Sequence, residues 1–332
     1  MKIRSLKAAA TATMADTEYN PRLLAVIHIG VTLTLSLVLL VLNYAITRNI
    51  NAATGLSQLG NRAILATVQS VLSIAVLVAT PFWDIGFFYV VLRMARTGHG
   101  RPADLLEGFR RLGPVVRLYL LQSVIYVGLF LICSHLASII FSFTPFVDPF
   151  IEIMEPILEQ AAVTGQLVVD EAIVAQLLPA MIPMYVILGI LLAAVGIPIF
   201  YRFRMAQFAI MDDAPGAFAA LRTSSRILRG KRFFLFRLDL SFWWFYGMQA
   251  LILLISNADV ILAFLKITLP VPDAVLFFAP FVIRMVLQLV LAWCSVSYVQ
   301  TTYAHCYETL KAAGASTPKP QPLPKAFPWE QQ

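Results

Sequence analysis

The sequence predicts an all-α, polytopic transmembrane helical bundle of about six spans, with amphipathic interfacial helices in its loops. Three observations predict it. The 332 residues are 59 % hydrophobic and 13 % charged, against about 45–50 % and about 25 % in soluble domains, and the mean hydropathy is +0.79. Several apolar segments are long enough to cross about 30 Å of hydrocarbon at about 1.5 Å per residue. Lysine and arginine gather in alternate loops, the pattern that sets orientation in a membrane.

The N-terminal segment, 1–22, carries Lys2, Arg4 and Lys7 ahead of a short, weakly apolar Ala/Thr stretch. A cleaved signal peptide needs a stronger apolar region, so 23–42 reads as the first uncleaved span. The remaining spans are 63–92, 115–143, 177–201, 234–255 and 274–305, within a transmembrane domain over 23–310. Pro179, Pro183, Pro198 and Pro280 fall inside these segments and predict kinks rather than ends, because neighbouring helices can satisfy the freed carbonyls. The tail, 311–332, has prolines at 318, 320, 322, 324 and 328, which predict a disordered cytoplasmic extension.

The two ends and the 93–117 and 202–237 segments together hold 21 lysines and arginines, and the loops of the other side hold three. The positive-inside rule therefore places both termini in the cytoplasm. The 144–172 segment holds six acids and no base, as suits the outer face. Asp148-Pro149 predicts a helix start there, with Glu152, Glu155 and Glu159 on one face and Ile151, Met154 and Leu158 on another.

Both basic loops have one design. Leu105, Phe109 and Leu112 make an apolar stripe beside Arg110 and Arg111; Phe218, Leu221 and Leu228 make another beside Arg222, Arg226 and Arg229, followed by Lys231 and Arg232. Such helices lie in the headgroup layer with their cations towards anionic lipid; the plainer alternative is that the stripes pack on protein. Aligning Gly113 with Gly230 also aligns Leu118 with Leu235, Tyr119 with Phe236 and Gln122 with Asp239. This suggests that 63–143 and 177–255 are parallel repeats.

The stretch Ala220-Leu-Arg-Thr-Ser224 through Gly230, then Leu235-Phe236-x-Leu238-x-Leu240-Ser241-Phe242 with Trp243 and Trp244, resembles the signature of a widespread family of bacterial integral membrane proteins classed as a domain of unknown function. In that family a Ser-x3-Met-x-Gly element leads into a Leu-Phe-x-Leu-x-Leu-Ser-Phe span; Leu228 stands in the methionine position. Gly86-Phe-Phe-Tyr-Val-Val-Leu-Arg93 and Asp104-Leu-Leu-Glu-Gly-Phe109 are similar to the family's second-span exit and first basic loop. The resemblance covers about 80–310 and departs in the last span, where Pro280-Phe281 replaces a Pro-Tyr pair. It implies fold and bacterial inner-membrane location, and brings no catalytic residues with it. Read physically, Gly230 ends the second loop helix in a left-handed conformation, and packing between helices is expected of Trp243 or Trp244.

Ionisable groups inside spans cost about 2.5–3.5 kcal/mol on insertion scales and so seek partners or water. Asp84 lies about 13 Å from the cytoplasmic margin and Arg284 about 15 Å from the outer one, a depth at which they can pair. The plainer reading leaves Asp84 among headgroups and lets Arg284 snorkel. Asp239 is expected to bridge to an arginine, Arg202 for example.

Several chemistries are disfavoured. The basic residues flank spans instead of forming one patch, which argues against nucleic acid. The histidines lack zinc-protease spacing, and Cys133, Cys294 and Cys306 lack a CxxC arrangement and read as small core hydrophobes. Gly98-His-Gly100 is not followed by Lys-Ser/Thr, so it is no phosphate loop. Asp212-Asp213 suits a helix start ahead of Pro215 better than a magnesium–diphosphate site. No catalytic, cofactor-binding or metal-binding residue is assigned. The expectation is a non-enzymatic organiser or regulator of the bilayer that binds anionic lipid, with a membrane-protein partner or a second copy as further occupants. The alternatives are a small permease with a polar midplane path and a membrane-embedded lipid-modifying enzyme.

Overall fold

The computed structural model describes residues 2–52, 57–164, 171–212, 216–257 and 273–315. Among them there is no strand. Asp213, Pro215, Asp170, Lys266 and the proline-rich run after residue 315 lie outside the described residues, and so do the expectations attached to them. Among the described residues five helices are long and apolar enough to cross a membrane, or six if one bent pair is a single span.

Two compact units make up the chain. One is built from the described parts of Met1–Leu118 and Met205–Gln332, the other from Tyr119–Arg204.

The first unit opens with α1 (Ile3–Asp16), a helix where the sequence shows only a weak Ala/Thr stretch. Its Leu6 and Ala10 are buried against the last helix. Then come α2 (Pro21–Ala52) and α3 (Ser57–Thr97), the latter running through Pro81. Gly98 takes φ 72° and ends α3, its N–H closing on the Met94 carbonyl, the left-handed stop that only glycine adopts without a Cβ penalty. A short 3₁₀ turn (Pro102–Leu106) and α4 (Glu107–Arg110) follow. Asp104 holds this loop: it accepts the Arg101 N–H at 2.9 Å and pairs with Arg93 at 2.7 Å. The loop lies directly on α3. A Cβ on Gly86 would stand 1.8 Å from the Leu105 carbonyl oxygen, and one on Gly108 1.9 Å from that of Phe82. Here the two backbones touch, as small residues permit.

After Met205 the unit resumes with α9 (Ala206–Met211) and α10 (Ala217–Ile227). The buried Ser224 hydroxyl accepts the Met205 N–H at 3.2 Å, joining the two. Gly230 takes φ 74°, as its position predicts. The expected straight span over 234–255 is instead broken: α11 (Arg232–Leu240) and α12 (Trp243–Ser256) meet at 68°. At about 1.5 Å per residue, the 14 residues of α12 rise about 21 Å, short of a hydrocarbon core. At the bend Phe242 and Phe245 are buried while Trp243 and Trp244 are exposed, which corrects the packing expected of the tryptophans. The last helix comprises α13 (Asp273–Leu291), a π-turn (Ala292–Val296) and α14 (Ser297–Ala315). Lys311 therefore lies within a helix, not at the start of the tail.

The second unit contains most of α5 (Leu112–Ser142), then α6 (Val147–Thr164), α7 (Glu171–Leu191), a π-turn (Leu192–Gly196) and α8 (Ile197–Phe203). Pro198 has no N–H for the Ala194 carbonyl, which accounts for this π-turn. The acidic helix forms where Asp148-Pro149 predicts it, but its packed stripe is displaced. Ile157 is buried and Phe150 meets Phe141 edge-on at 6.1 Å, whereas Ile151 and Leu158 are exposed. Phe150 and Ile157 are seven apart, so they share a face that excludes Ile151 and Leu158. Of the proposed repeat, Leu118 and Leu235 are both fully buried, yet α5 is continuous where α11–α12 is bent.

Candidate functional site

Three groups of polar residues in the first unit compete for a functional role. The deepest is on α2 and α3. His28 is 6 % exposed, stacks on Phe87 at 4.5 Å, and points Nε2 at Asp84 Oδ1, 3.4 Å away. Trp83 Nε1 donates to the His28 carbonyl at 2.8 Å. Asp84 thus meets His28, and no ion pair joins it to Arg284 among the described residues. Equal depth does not ensure contact, since α3 turns Asp84 towards α2. Asp239 accepts from Tyr303 and, at 3.2 Å, from Tyr246, whose hydroxyls lie 2.9 Å apart.

At the basic end, Asp212 closes α9 with its side chain only 3 % exposed. Arg96 from the end of α3 reaches it at 2.8 Å and Lys311 of α14 at 2.6 Å. The Tyr307 hydroxyl donates to it at 2.9 Å. Arg96 also forks onto Glu308 Oε1, at 2.9 and 2.6 Å. Burial pushes the Asp212 carboxyl up, but the hydrogen bonds from Lys311, Arg96 and Tyr307 outweigh it and hold the group below its usual range. Asp212 is therefore an ionic clasp across three helix ends, not the start of α10, whose first turn follows Gly216. Arg111, expected among headgroups, belongs to the same structure: it donates to the Ile210 and Met211 carbonyls at 3.3 and 3.4 Å. Arg110 is exposed and pairs with Glu107 at 3.2 Å.

The third group is the outer face of α10 and α11. Ala217, Ala220, Leu221, Ser224, Ile227 and Leu228 are buried, so this part of the expected lipid-facing stripe packs on protein. Phe218 does not; it is 78 % exposed, and its spacing of 4 and 8 puts it on the face of Arg222 and Arg226, with Arg229 exposed in the turn just past the helix end. Among the described residues, no ion pair or side-chain hydrogen bond engages Arg222, Arg226, Arg229, Lys231 or Arg232. Phe233, Phe236 and Leu240 are exposed on α11, and Trp243 at the start of α12.

Sequence reasoning found the cations of this face and missed the clasp. Tyr307, Glu308 and Lys311 follow one another at one helix end, but nothing local ties them to Asp212 or Arg96. Among the described residues no cluster of His, Cys, Asp and Glu could hold a metal ion.

Apolar helices of spanning length, a basic end knitted by ion pairs around the buried Asp212, and an amphipathic helix whose cations have no ion pair among the described residues define a polytopic integral membrane protein. The chain belongs to the family described as Protein of unknown function (DUF975), which matches residues 19–314. No curated protein and no solved structure matches it.

Proposed function

We propose that this chain is a non-enzymatic membrane organiser or regulator of the bacterial inner membrane whose cytoplasmic face, α10 with α11, binds anionic lipid headgroups. The observation that carries the reading is the stripe Phe218, Arg222, Arg226 and Arg229, with three cations unpaired and the aromatic ring exposed. Cations with no protein partner are free for phosphate, and exposed aromatic rings settle at the interface of a bilayer. The sorting of lysine and arginine to this end supports a cytoplasmic orientation.

A basic residue near an anionic surface contributes about 1 kcal/mol. The triple variant R222Q/R226Q/R229Q should therefore bind phosphatidylglycerol in lipid nanodiscs on the order of 100-fold more weakly, as read by native mass spectrometry of retained lipids. Added salt should weaken wild-type binding far more than that of the variant. Equal retention by both proteins would remove this reading.

A further inference from the structure

A cavity of ≈ 610 Å³ lies between the end of α1, the start of α2 and the π-turn of the last helix, with Thr11, Thr17, Glu18, Arg22, Cys294 and Tyr298 among its walls. Two contacts fix it. Thr13 meets His305 at 2.8 Å, and the buried Ser297 hydroxyl donates to the Pro21 carbonyl at 2.6 Å. Pro21 begins an apolar segment of spanning length, so the cavity sits at headgroup level.

Its walls are chemically specific. Among the described residues Arg22 has no ion pair and Glu18 pairs with the exposed imidazole of His99 at 3.4 Å alone; no ion pair joins the two to each other. A positive and a negative group held apart in one cavity match a ligand with both signs of charge. The Thr17 hydroxyl in its wall is buried without a hydrogen-bond partner among the described residues; buried polar groups are seldom left so. The π-turn here has no nearby following proline to explain it, unlike the one before Pro198, and such turns recur at functional sites. It also sets Cys294 in the wall as an exposed thiol, where a core residue was expected.

We infer that this cavity binds a phosphoethanolamine-type zwitterion, with Arg22 holding the phosphate, Glu18 the primary ammonium and the Thr17 hydroxyl a phosphate oxygen. The inference is independent of the α10 stripe, which takes net negative charge.

Cys294 provides the readout, because Cys133 and Cys306 are buried and serve as internal controls for unfolding. The full-length protein would be placed in phosphatidylcholine nanodiscs and the rate of Cys294 alkylation by a maleimide followed by mass spectrometry. Adding phosphatidylethanolamine to the discs should slow alkylation several-fold, and R22Q or E18Q should abolish that protection without exposing the other two thiols. Protection by soluble phosphoethanolamine as well would identify the free compound as the source; protection by the lipid alone would identify the membrane. Equal or stronger protection by phosphatidylglycerol, or none by either zwitterion, would overturn the assignment. Should R22Q or E18Q unfold, the wild-type comparison among lipids decides it.

Discussion

Replacing Gly86 with alanine should abolish stable folding. The added methyl would meet the Leu105 carbonyl oxygen at 1.8 Å, and a carbonyl cannot swing aside as a side chain can. The loop cannot retreat either: Leu105 is 1 % exposed, Asp104 is tied to Arg93, and the symmetric approach of Gly108 to Phe82 closes the other end of the contact. Overpacking of a fixed core costs about 1–3 kcal/mol and more where backbone must move; a second variant, Gly108→Ala, should do the same. Gly30→Ala and Gly113→Ala are the controls. Nothing lies within 4 Å of either Cβ position, and alanine in a helix is favoured over glycine by about 1 kcal/mol. Thermal unfolding in detergent, with monodispersity on a sizing column, separates the two pairs. A Gly86→Ala protein as stable as the wild type would mean that the loop does not seat on α3.

Asp212→Asn should be the most damaging single change at the basic end, at about 2–3 kcal/mol. It leaves Arg96 and Lys311 facing a neutral amide, and losing a hydrogen bond to a charged group costs about 1.5–3 kcal/mol. Both cations are about one-third exposed, so water relieves part of the loss and the full penalty of breaking a buried pair does not apply. The pH dependence has a definite sign. The folded carboxyl is held below its usual range, so its stabilisation is present at neutral pH and disappears as pH falls through the folded-state value. Wild-type Tm should therefore drop on acidification below the ordinary range of aspartate, and the Asp212→Asn protein should lack that part of the decline. Parallel acid limbs for the two proteins would show that the clasp contributes nothing.

What could be read in advance was whatever repeats along the chain. Apolar runs located the long helices, although the fourth and last run eight to ten residues past their predicted ends; Gly230 announced its left-handed stop, and Asp148-Pro149 announced α6. The break between Leu240 and Trp243 could not be read, because apolar residues continue on both sides of it and hydropathy carries no direction. Asp84 was matched to Arg284 on depth alone; which way a helix faces decides the partner, and α3 presents Asp84 to His28. Phe218 was assigned to the wrong stripe for a related reason, since it borders both faces and only the packing of Leu221 and Leu228 separates them. Asp212 and Lys311 stand 99 residues apart, beyond any local pattern. The glycines at 86 and 108 sit inside the two segments that resemble the family, and a search for small residues facing one another would have found them.

The clasping of α1 has a consequence for how the protein is made. Lys7 donates to the Ser241 carbonyl at 2.9 Å and lies over the Phe242 ring at 4.2 Å, and Thr13 is bound to His305, 292 residues later. The ribosome therefore releases α1 long before its partners exist, and all of Tyr119–Arg204 must be inserted in between. Contacts so distant in sequence form late. The two helices are joined only once residues 297–315 have been made, so a nascent chain stopped before them leaves the Leu6 and Ala10 face of α1 uncovered.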